Sequence, residues 1–219
     1  MIKNTPSGLV RPRSACTLKG VARVIAGEAG GRRLAVPDGR ETRPTSDRAR
    51  EGLFGTVASI VGPLAGARVL DLYAGSGAVG LEALSRGAEH VLLVESGARA
   101  ARVIHTNIEA IGLPGAQVAT DRVERVLNRG PGEARYDVVF ADPPYAAGDA
   151  EIDRMLAGLR QHGWLAAGAL VAVERATRSG PLAWPPGYRS DRCRRYGEAT
   201  LWYGLAAGAG PAGSPETGA

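Results

Sequence analysis

The stretch Val69-Leu-Asp-Leu-Tyr-Ala-Gly-Ser-Gly-Ala-Val-Gly-Leu81 decides the fold of this 219-residue chain. A short apolar run contains Asp71, glycines follow, and the apolar spacing then becomes that of a helix. Gly75 and Gly77 let the backbone bend sharply near a ligand, because a residue without Cβ tolerates positive φ. Gly80 allows the helix to pack closely on the sheet. The stretch therefore predicts the first strand, turn and helix of an α/β nucleotide site.

The pattern downstream predicts alternating strands and helices. We expect strands near 68–72, 90–95, 116–120, 136–141 and 169–175, and helices near 78–86, 97–111, 121–129 and 149–160. Such alternation favours a parallel sheet with helices on both faces. Two later strands, Tyr188–Tyr196 and Glu198–Leu205, are joined by a tight turn at Gly197, which predicts an antiparallel pair at the end of the sheet.

The N-terminal quarter has a different pattern. Alternating runs from Val21 to Ala26 and from Arg32 to Val36 flank a glycine-rich connection, which indicates a β-hairpin. Farther on, a helix capped at Thr45, Ser46 or Asp47 is predicted by apolar residues at spacings of three and four. We therefore expect a disordered basic extension over 1–20, a hairpin and helix over 21–66, the main domain over 67–205 and a disordered tail over 206–219.

Charge is distributed unevenly along the chain. Residues 1–50 hold 11 Lys and Arg against 4 Asp and Glu, a net +7, and the remainder holds 16 against 18, a net −2. A basic N-terminal block predicts contact with phosphates. The alternative is compositional bias, since 25 of the 27 basic residues are arginine. The candidate phosphate contacts are the arginines of the hairpin and the helix entry: Arg23, Arg32, Arg33, Arg43, Arg48 and Arg50.

Several other classes of protein are disfavoured. Cys16 and Cys193 lie far apart, and the three histidines form no metal-ligand spacing with them, so we expect neither a disulfide framework nor a metal site. No apolar run reaches the roughly 18–20 residues of a membrane helix, and there is no signal-peptide pattern. We expect a cytoplasmic protein and a monomer.

Acidic residues follow two of the predicted parallel strands. Glu95 comes at the carboxyl edge of the sheet, where ligands bind in open α/β folds, and its carboxylate could accept hydrogen bonds from both hydroxyls of a ribose. The alternative is a strand-end acid that caps the next helix. Asp121 follows the next strand and could receive an adenine amino group, although helix capping explains it equally well.

The segment Asp142-Pro-Pro-Tyr145 follows the fourth parallel strand. Its prolines fix φ and remove two N–H donors, so backbone carbonyls and the Asp142 carboxylate are left as acceptors. An array of acceptors suits a substrate with an amino group, and Tyr145 offers a flat ring on which a base could stack. The alternative is a rigid strand-end turn without a ligand.

Together these motifs resemble a known class of enzyme. Asp71-x-x-Ala-Gly75-Ser-Gly77, Glu95 and Asp142-Pro-Pro-Tyr145 look like the S-adenosylmethionine-dependent methyltransferases that modify exocyclic amino nitrogens of bases. Within that class, Gly31-Arg-x-Leu-x-x-Pro37 and the run Arg43-Pro-Thr-Ser-Asp-Arg-Ala-Arg-Glu-Gly-Leu-Phe54 are similar to the RsmD family, which methylates a guanine N2 of bacterial 16S ribosomal RNA.

The resemblance spans about residues 21–203 and carries several implications. It implies a Rossmann-like class I methyltransferase fold, with a mostly parallel seven-stranded sheet and an antiparallel terminal strand. It implies S-adenosylmethionine as cofactor and 16S ribosomal RNA as partner, free or in an assembling small-subunit particle. Cofactor binding then falls to Asp71, Tyr73, Ala74, Gly75, Ser76, Gly77, Glu95 and Asp121. The target base and the catalytic role fall to Asp142, Pro143, Pro144 and Tyr145.

Three other functions remain to be compared with this one. A DNA or RNA adenine or cytosine amino-methyltransferase could use the same acceptors, but the chain has no large domain for reading duplex sequence. A nicotinamide-dependent dehydrogenase fits the glycine spacing and leaves Asp142-Pro-Pro-Tyr145 unexplained. A non-enzymatic RNA-binding protein would explain the basic block and not the cofactor motifs.

Overall fold

A computed structural model describes residues 21–37, 47–144 and 147–207. The predictions for 1–20, for Arg43, for Tyr145 and for most of the 206–219 tail lie outside the described residues. Among the residues described, no helix is long and apolar enough to cross a membrane. The elements in chain order are β1 (Val21–Arg23), β2 (Arg33–Ala35), α1 (Asp47–Val61), β3 (Arg68–Leu72), α2 (Ala78–Ser85), β4 (His90–Val94), α3 (Ala98–Ile111), β5 (Ala116–Ala119), α4 (Val123–Arg129), β6 (Tyr136–Ala141), α5 (Asp149–Gln161), β7 (Leu165–Ala176), a 3₁₀ turn (Thr177–Ser179), β8 (Tyr188–Tyr196) and β9 (Ala199–Ala206).

One sheet organises the molecule. Its seven strands lie in the order β5-β4-β3-β6-β7-β9-β8. The pairs from β5 to β7 are parallel, and β9 pairs antiparallel with both β7 and β8. The predicted sheet, with its antiparallel end, is therefore confirmed. The predicted hairpin is confirmed as well, because β1 and β2 pair antiparallel as a separate two-stranded sheet.

The strand order places a crevice between β3 and β6. The chain runs from β3 outward through β4 and β5, and then returns to form β6 on the other side of β3. Such a reversal opens a crevice outside the carboxyl ends of the two central strands, where ligands bind. Leu72 of β3 pairs with Ala141 of β6. Tyr73 and Asp142 therefore leave the sheet side by side.

Two apolar cores cover the faces of the sheet. Leu34 of the hairpin and Leu53 of α1 are each 1% exposed, and they share one core with Val69 of β3. Leu70 points to the opposite face, into a second core with Leu156 of α5. This alternation follows the period of two along a strand, because successive side chains point to opposite faces. Hairpin and α1 thus pack on the same face as α2 and α3.

Buried polar side chains hold the hairpin in place. The Glu82 carboxylate, 0% exposed on α2, accepts hydrogen bonds from the backbone N–H groups of Ile25 and Ala26 at 2.6 and 3.0 Å. The Ser85 hydroxyl, at the end of α2, accepts one from the N–H of Ala29 at 2.9 Å. An unmade buried hydrogen bond costs about 1–3 kcal/mol, so these anchors resist separation of the hairpin from α2.

Candidate active site

The turn between β3 and α2 is held in a strained conformation. Tyr73 has φ of 61°, and it is the one residue other than glycine with positive φ among the residues described. Such a backbone costs on the order of 1–3 kcal/mol and persists where the surroundings enforce it. Here the N–H of Ala74 donates to the carbonyl of Val94 at 2.9 Å, and the N–H of Gly77 donates to the carbonyl of Ala74 at 2.7 Å. The first bond attaches the turn to β4, and the second lies within the turn.

Asp71 supports this turn from beneath. Its carboxylate is 1% exposed and accepts a hydrogen bond from the N–H of Gly80 at 2.8 Å. A side chain at position 80 could not fit, because a Cβ there would lie 2.7 Å from Val91 Cγ1. Burial raises the pKa of Asp71 to about 7, and the negative charge of Glu95 acts in the same direction. Asp71 thus positions α2 and does not line the cleft described next.

A cleft of about 240 Å³ opens at the carboxyl edge of the sheet, above β4 and beside β3. We call it the cofactor cleft. It brings together three residues selected from the sequence, namely Tyr73, Glu95 and Pro144. Burial raises the pKa of the Tyr73 hydroxyl, and the carboxylates of Glu151 and Glu124 raise it further, so this hydroxyl stays protonated. The full lining is Tyr73, Val94, Glu95, Ser96, Arg122, Val123, Glu124, Pro144 and Glu151.

Glu95 links the glycine turn to the next helix. Its side chain is 1% exposed, with Oε2 accepting from the N–H of Gly75 at 2.9 Å and Oε1 accepting from the N–H of Gly97 at 2.6 Å. These two bonds fix the carboxylate where it lines the cofactor cleft, and a carboxylate is an acceptor for hydroxyl groups. Apolar Val94 and Val123 border the same space. The lining therefore fits a nucleoside, with an acceptor for the ribose and apolar walls for the base.

Asp121 lies outside the cleft. Its Oδ1 accepts a hydrogen bond from the N–H of Arg122 at 2.8 Å, and its carboxylate pairs with Arg129 and Arg125 on α4. The backbone hydrogen bond from Arg122 lowers the pKa of Asp121, and Arg129 lowers it further. The cleft wall comes instead from the next two residues, Arg122 and Val123.

The segment after β6 borders a second cavity beside the first. Asp142, Pro143 and Pro144 line it, together with Glu174 and Arg175 at the end of β7. Pro144 lines the cofactor cleft as well. A molecule held against this segment would therefore sit next to the contents of the cofactor cleft. Tyr145 lies outside the described residues, and its stacking role stays a prediction.

The hairpin arginines have different surroundings. Arg33 and Arg48 are exposed, and no residue in the described part of the chain forms a hydrogen bond or ion pair with either guanidinium. Arg23 is also exposed and pairs with Asp47 at 3.3 Å. Arg32 donates to the carbonyls that end α3, at 2.8 and 3.1 Å. Four of the six predicted phosphate contacts are thus on the surface, and Arg43 lies outside the described residues.

The prediction that Arg50 contacts phosphate is wrong. Its side chain is only 1% exposed, donates to the carbonyl of Arg23 and pairs with Asp47 at 2.9 Å. Burial lowers the pKa of this guanidinium, while the carboxylates of Glu82 and Asp47 oppose that effect. A guanidinium enclosed in this way joins α1 to the hairpin and cannot reach a phosphate.

Sequence reasoning missed the polar residues that attach the hairpin. Glu82, Ser85 and Asn107 are each buried, and each hydrogen-bonds to the hairpin backbone. A signal existed, because Asn107 interrupts an apolar helix face between Ile104 and Ile111. A polar side chain on such a face is hydrogen-bonded in most structures. The partner could not be found from that signal alone.

The sheet order, the strained glycine turn and the acidic cleft define the Rossmann-like class of methyltransferases that use S-adenosylmethionine. The family model described as "Conserved hypothetical protein 95" matches residues 22–204. The chain belongs to this family, the RsmD family, which confirms the resemblance seen in the sequence. Membership also decides against the dehydrogenase and the non-enzymatic RNA-binding protein.

Individual relatives agree with this assignment. "Ribosomal RNA small subunit methyltransferase D" of Escherichia coli is 37% identical over 161 residues, which cover 74% of this chain and 78% of that protein. The protein of the same name from Haemophilus influenzae is 34% identical over 169 residues, covering 76% and 84%. The solved structure of yhhF from Escherichia coli superposes with a TM-score of 0.76 at 33% identity, covering 86% of this chain and 99% of that one.

Proposed function

We propose that this protein transfers the methyl group of S-adenosylmethionine to the exocyclic N2 of a guanine in 16S ribosomal RNA. The observation that carries the proposal is the position of Asp142-Pro143-Pro144. This acceptor-rich segment lines its own cavity, and its last proline also lines the cofactor cleft. An amino group bound to the acceptors would thus lie beside the methyl donor. Relatives named for methylation of small-subunit ribosomal RNA support the choice of substrate.

The cofactor is held by the residues of the cofactor cleft. Glu95 would hold the ribose hydroxyls, and Val94 and Val123, which line the same cleft, would border the adenine. The turn from Tyr73 to Gly77, whose first residue lines the cleft, would hold the remaining part of the cofactor. When bound, the cofactor supplies an electrophilic methyl group on a sulfonium.

The target nitrogen has to be oriented, because its lone pair is delocalised into the guanine ring. The Asp142 carboxylate and the Pro143 carbonyl accept its two N–H groups, which turns the lone pair out of the ring plane. Fixed orientation and a nearby negative charge both favour attack, since positive charge develops on the nitrogen. A guanine that is paired or stacked must first be extruded toward this segment. The cavity there is about 20 Å³, so the segment and its neighbours must move apart to admit the base. The proton that the nitrogen loses passes through Asp142 to solvent.

The RNA is positioned by the N-terminal unit, residues 21–66. Arg23, Arg32, Arg33 and Arg48 present guanidinium groups on its surface, and Arg43 adds a fifth in the sequence. Arginine binds phosphate oxygens through paired N–H groups. Arg50 supports these residues from the interior. We further propose that the protein acts as a cytoplasmic monomer, on 16S RNA that is free or inside an assembling small-subunit particle.

Mass spectrometry of ribosomal RNA nucleosides tests this function. A strain that lacks the gene should lose one N2-methylguanosine from 16S RNA, and expression of the wild-type chain should restore it. Expression of the Asp142→Ala variant should not. Unchanged N2-methylguanosine in the deletion strain, or loss of a methylated adenine or cytosine instead, would contradict the proposal.

A further inference from the structure

Asn107 makes an unusual set of hydrogen bonds at the centre of the molecule. It lies on α3 and is 1% exposed. Its Oδ1 accepts from the backbone N–H of Ala35 at 2.7 Å, and its Nδ2 donates back to the carbonyl of Ala35 at 3.0 Å. The same Nδ2 donates its other hydrogen to the carbonyl of Ser76 at 2.8 Å. One planar amide therefore joins strand β2 of the hairpin to the glycine turn.

The other buried anchors of the hairpin do not make this connection. Glu82 and Ser85 accept hydrogen bonds from hairpin N–H groups, and both side chains belong to α2. Ser85 is the last residue of that helix, eight residues beyond Gly77, which is roughly 12 Å at a rise of about 1.5 Å per residue. Ser85 thus stabilises the hairpin without contacting the turn that borders the cofactor cleft.

We infer that Asn107 is a positioning residue that couples cofactor binding to RNA binding. A ligand in the cofactor cleft contacts Tyr73 and Glu95, and Glu95 holds the N–H of Gly75, so the ligand restrains the turn. The carbonyl of Ser76, which belongs to that turn, then restrains the Asn107 amide. The amide then fixes both polar backbone groups of Ala35, beside Arg33 and the other arginines of the hairpin. When one ligand has already ordered the turn and the hairpin, the second ligand does not lose that conformational entropy again. Each ligand therefore strengthens the binding of the other. The inference rests on the proposed contact of the hairpin with RNA.

A binding cycle measures this coupling. The dissociation constant of S-adenosylhomocysteine, which cannot react, is measured with and without a saturating 16S RNA fragment, and that of the RNA with and without S-adenosylhomocysteine. In the wild type each ligand should tighten the other by about fivefold or more, and the two factors must be equal by linkage. In Asn107→Ala the factor should fall close to one.

Two further variants separate coupling from simple support. Asn107→Asp has nearly the same shape and keeps an acceptor for the Ala35 N–H, but it loses both donors, so it should also lose the coupling. Asn107→Asp replaces Asn107→Ala in the binding cycle if Asn107→Ala does not fold. Ser85→Ala removes a hairpin anchor of similar burial, so its thermal melting temperature should fall while its coupling factor stays at the wild-type value. Equal loss of coupling in Ser85→Ala would overturn the specific role of Asn107, as would wild-type coupling in both Asn107 variants.

A second readout needs no RNA. Amide hydrogen exchange over residues 21–35 should slow when S-adenosylhomocysteine binds to the wild type or to Ser85→Ala. It should not respond in the Asn107 variants. An unresponsive wild-type hairpin would refute the inference while leaving the proposed methylation intact. Conversely, a wild type whose hairpin responds but which forms no N2-methylguanosine would contradict the proposed function alone.

Discussion

Glu95 and Asp121 occupy equivalent places in the sequence and very different places in the molecule. Each follows a parallel strand at the carboxyl edge of the sheet. Glu95 follows β4 in the interior of the sheet, is 1% exposed and holds the N–H of Gly75. Asp121 follows β5, the outermost strand, and pairs with the arginines of α4. In this molecule the acid after an interior strand lines the cofactor cleft, and the acid after the outermost strand pairs with the helix that follows it.

The same contrast separates Arg48 from Arg50. Both lie in the first turn of α1, two residues apart, and therefore on different sides of the helix. Arg48 is exposed, whereas Arg50 points inward to the carbonyl of Arg23. Substitution of buried residues should therefore change stability and catalysis, and substitution of exposed residues should change RNA binding.

The largest expected effect concerns the buried carboxyl of Asp71 beneath the glycine turn. Its pKa of about 7 in the folded protein lies above the ordinary value of 3.8, so the folded state holds the proton more tightly than the unfolded state does. Stability from this group is complete below about pH 4 and is lost as the pH rises toward 7. Relative to Asp71→Asn, the wild type should lose as much as about 4 kcal/mol between these pH values. Urea unfolding at several pH values measures the difference, and parallel curves for the two proteins would refute it.

Asp142→Ala should give the next largest effect. If Asp142 accepts a hydrogen bond from the reacting nitrogen, the single-turnover rate should fall by about 10²-fold or more, as when a positioned transition-state hydrogen bond is removed. The affinity for S-adenosylmethionine should change little. Asp142→Asn keeps a carbonyl acceptor and loses the charge, so it should retain partial activity. A well-folded Asp142→Ala enzyme with a near wild-type rate would place the acceptor elsewhere in the cleft.

Glu95 and Asp121 can be compared directly as ligands of the cofactor. Glu95→Ala should weaken S-adenosylmethionine by about 1.5–3 kcal/mol, the usual value of a hydrogen bond to a charged group. Asp121→Ala is the matched control and should stay within about twofold of the wild type, since the exposed ion pairs of Asp121 contribute little. Isothermal titration calorimetry gives both constants. An equal loss in the two variants would show that Asp121 also contacts the cofactor and would remove the distinction drawn above.

The smallest expected effect is at the surface arginines. RNA affinity should fall with salt, and each phosphate contact contributes about −0.7 to the log–log slope where the RNA is single-stranded. Arg48→Gln removes one phosphate contact, so the magnitude of the slope should fall by about 0.7. The melting temperature should not change. Arg50→Gln should lower the melting temperature instead, because the Arg23 carbonyl loses the guanidinium that donates to it and Asp47 keeps only its exposed pair with Arg23. Filter-binding titrations at several salt concentrations would contradict this view if the Arg48 variant kept the full slope.

Most of the fold could be predicted because it depends on local patterns. The apolar period along β3, the glycines after it and the turn at Gly197 are readable from neighbouring residues alone. Closeness of the turn to Asp142 also followed from parallel strand order. The strain at Tyr73 could not be predicted in this way, because its φ of 61° is a conformation that glycine adopts far more readily than tyrosine.

The rest depended on contacts between distant parts of the chain. Nothing near Arg50 in the sequence indicates that the carbonyl of Arg23 will enclose its guanidinium. The partners of Asn107 are separated from it by 72 residues at Ala35 and 31 at Ser76. Asp121 differs from Glu95 because its strand lies at the margin of the sheet, a property of strand order and not of the strand itself.

The most direct test of the account is to identify the nucleoside that the purified protein makes. Unmethylated 16S RNA is incubated with the enzyme and S-adenosylmethionine carrying an isotopically labelled methyl group, then digested and analysed by mass spectrometry. Label should appear in N2-methylguanosine with the wild type, and no label should appear there with Asp142→Ala over the time of a single wild-type turnover. Label in N6-methyladenosine or N4-methylcytidine, or N2-methylguanosine formed equally by both proteins, would contradict the proposed function.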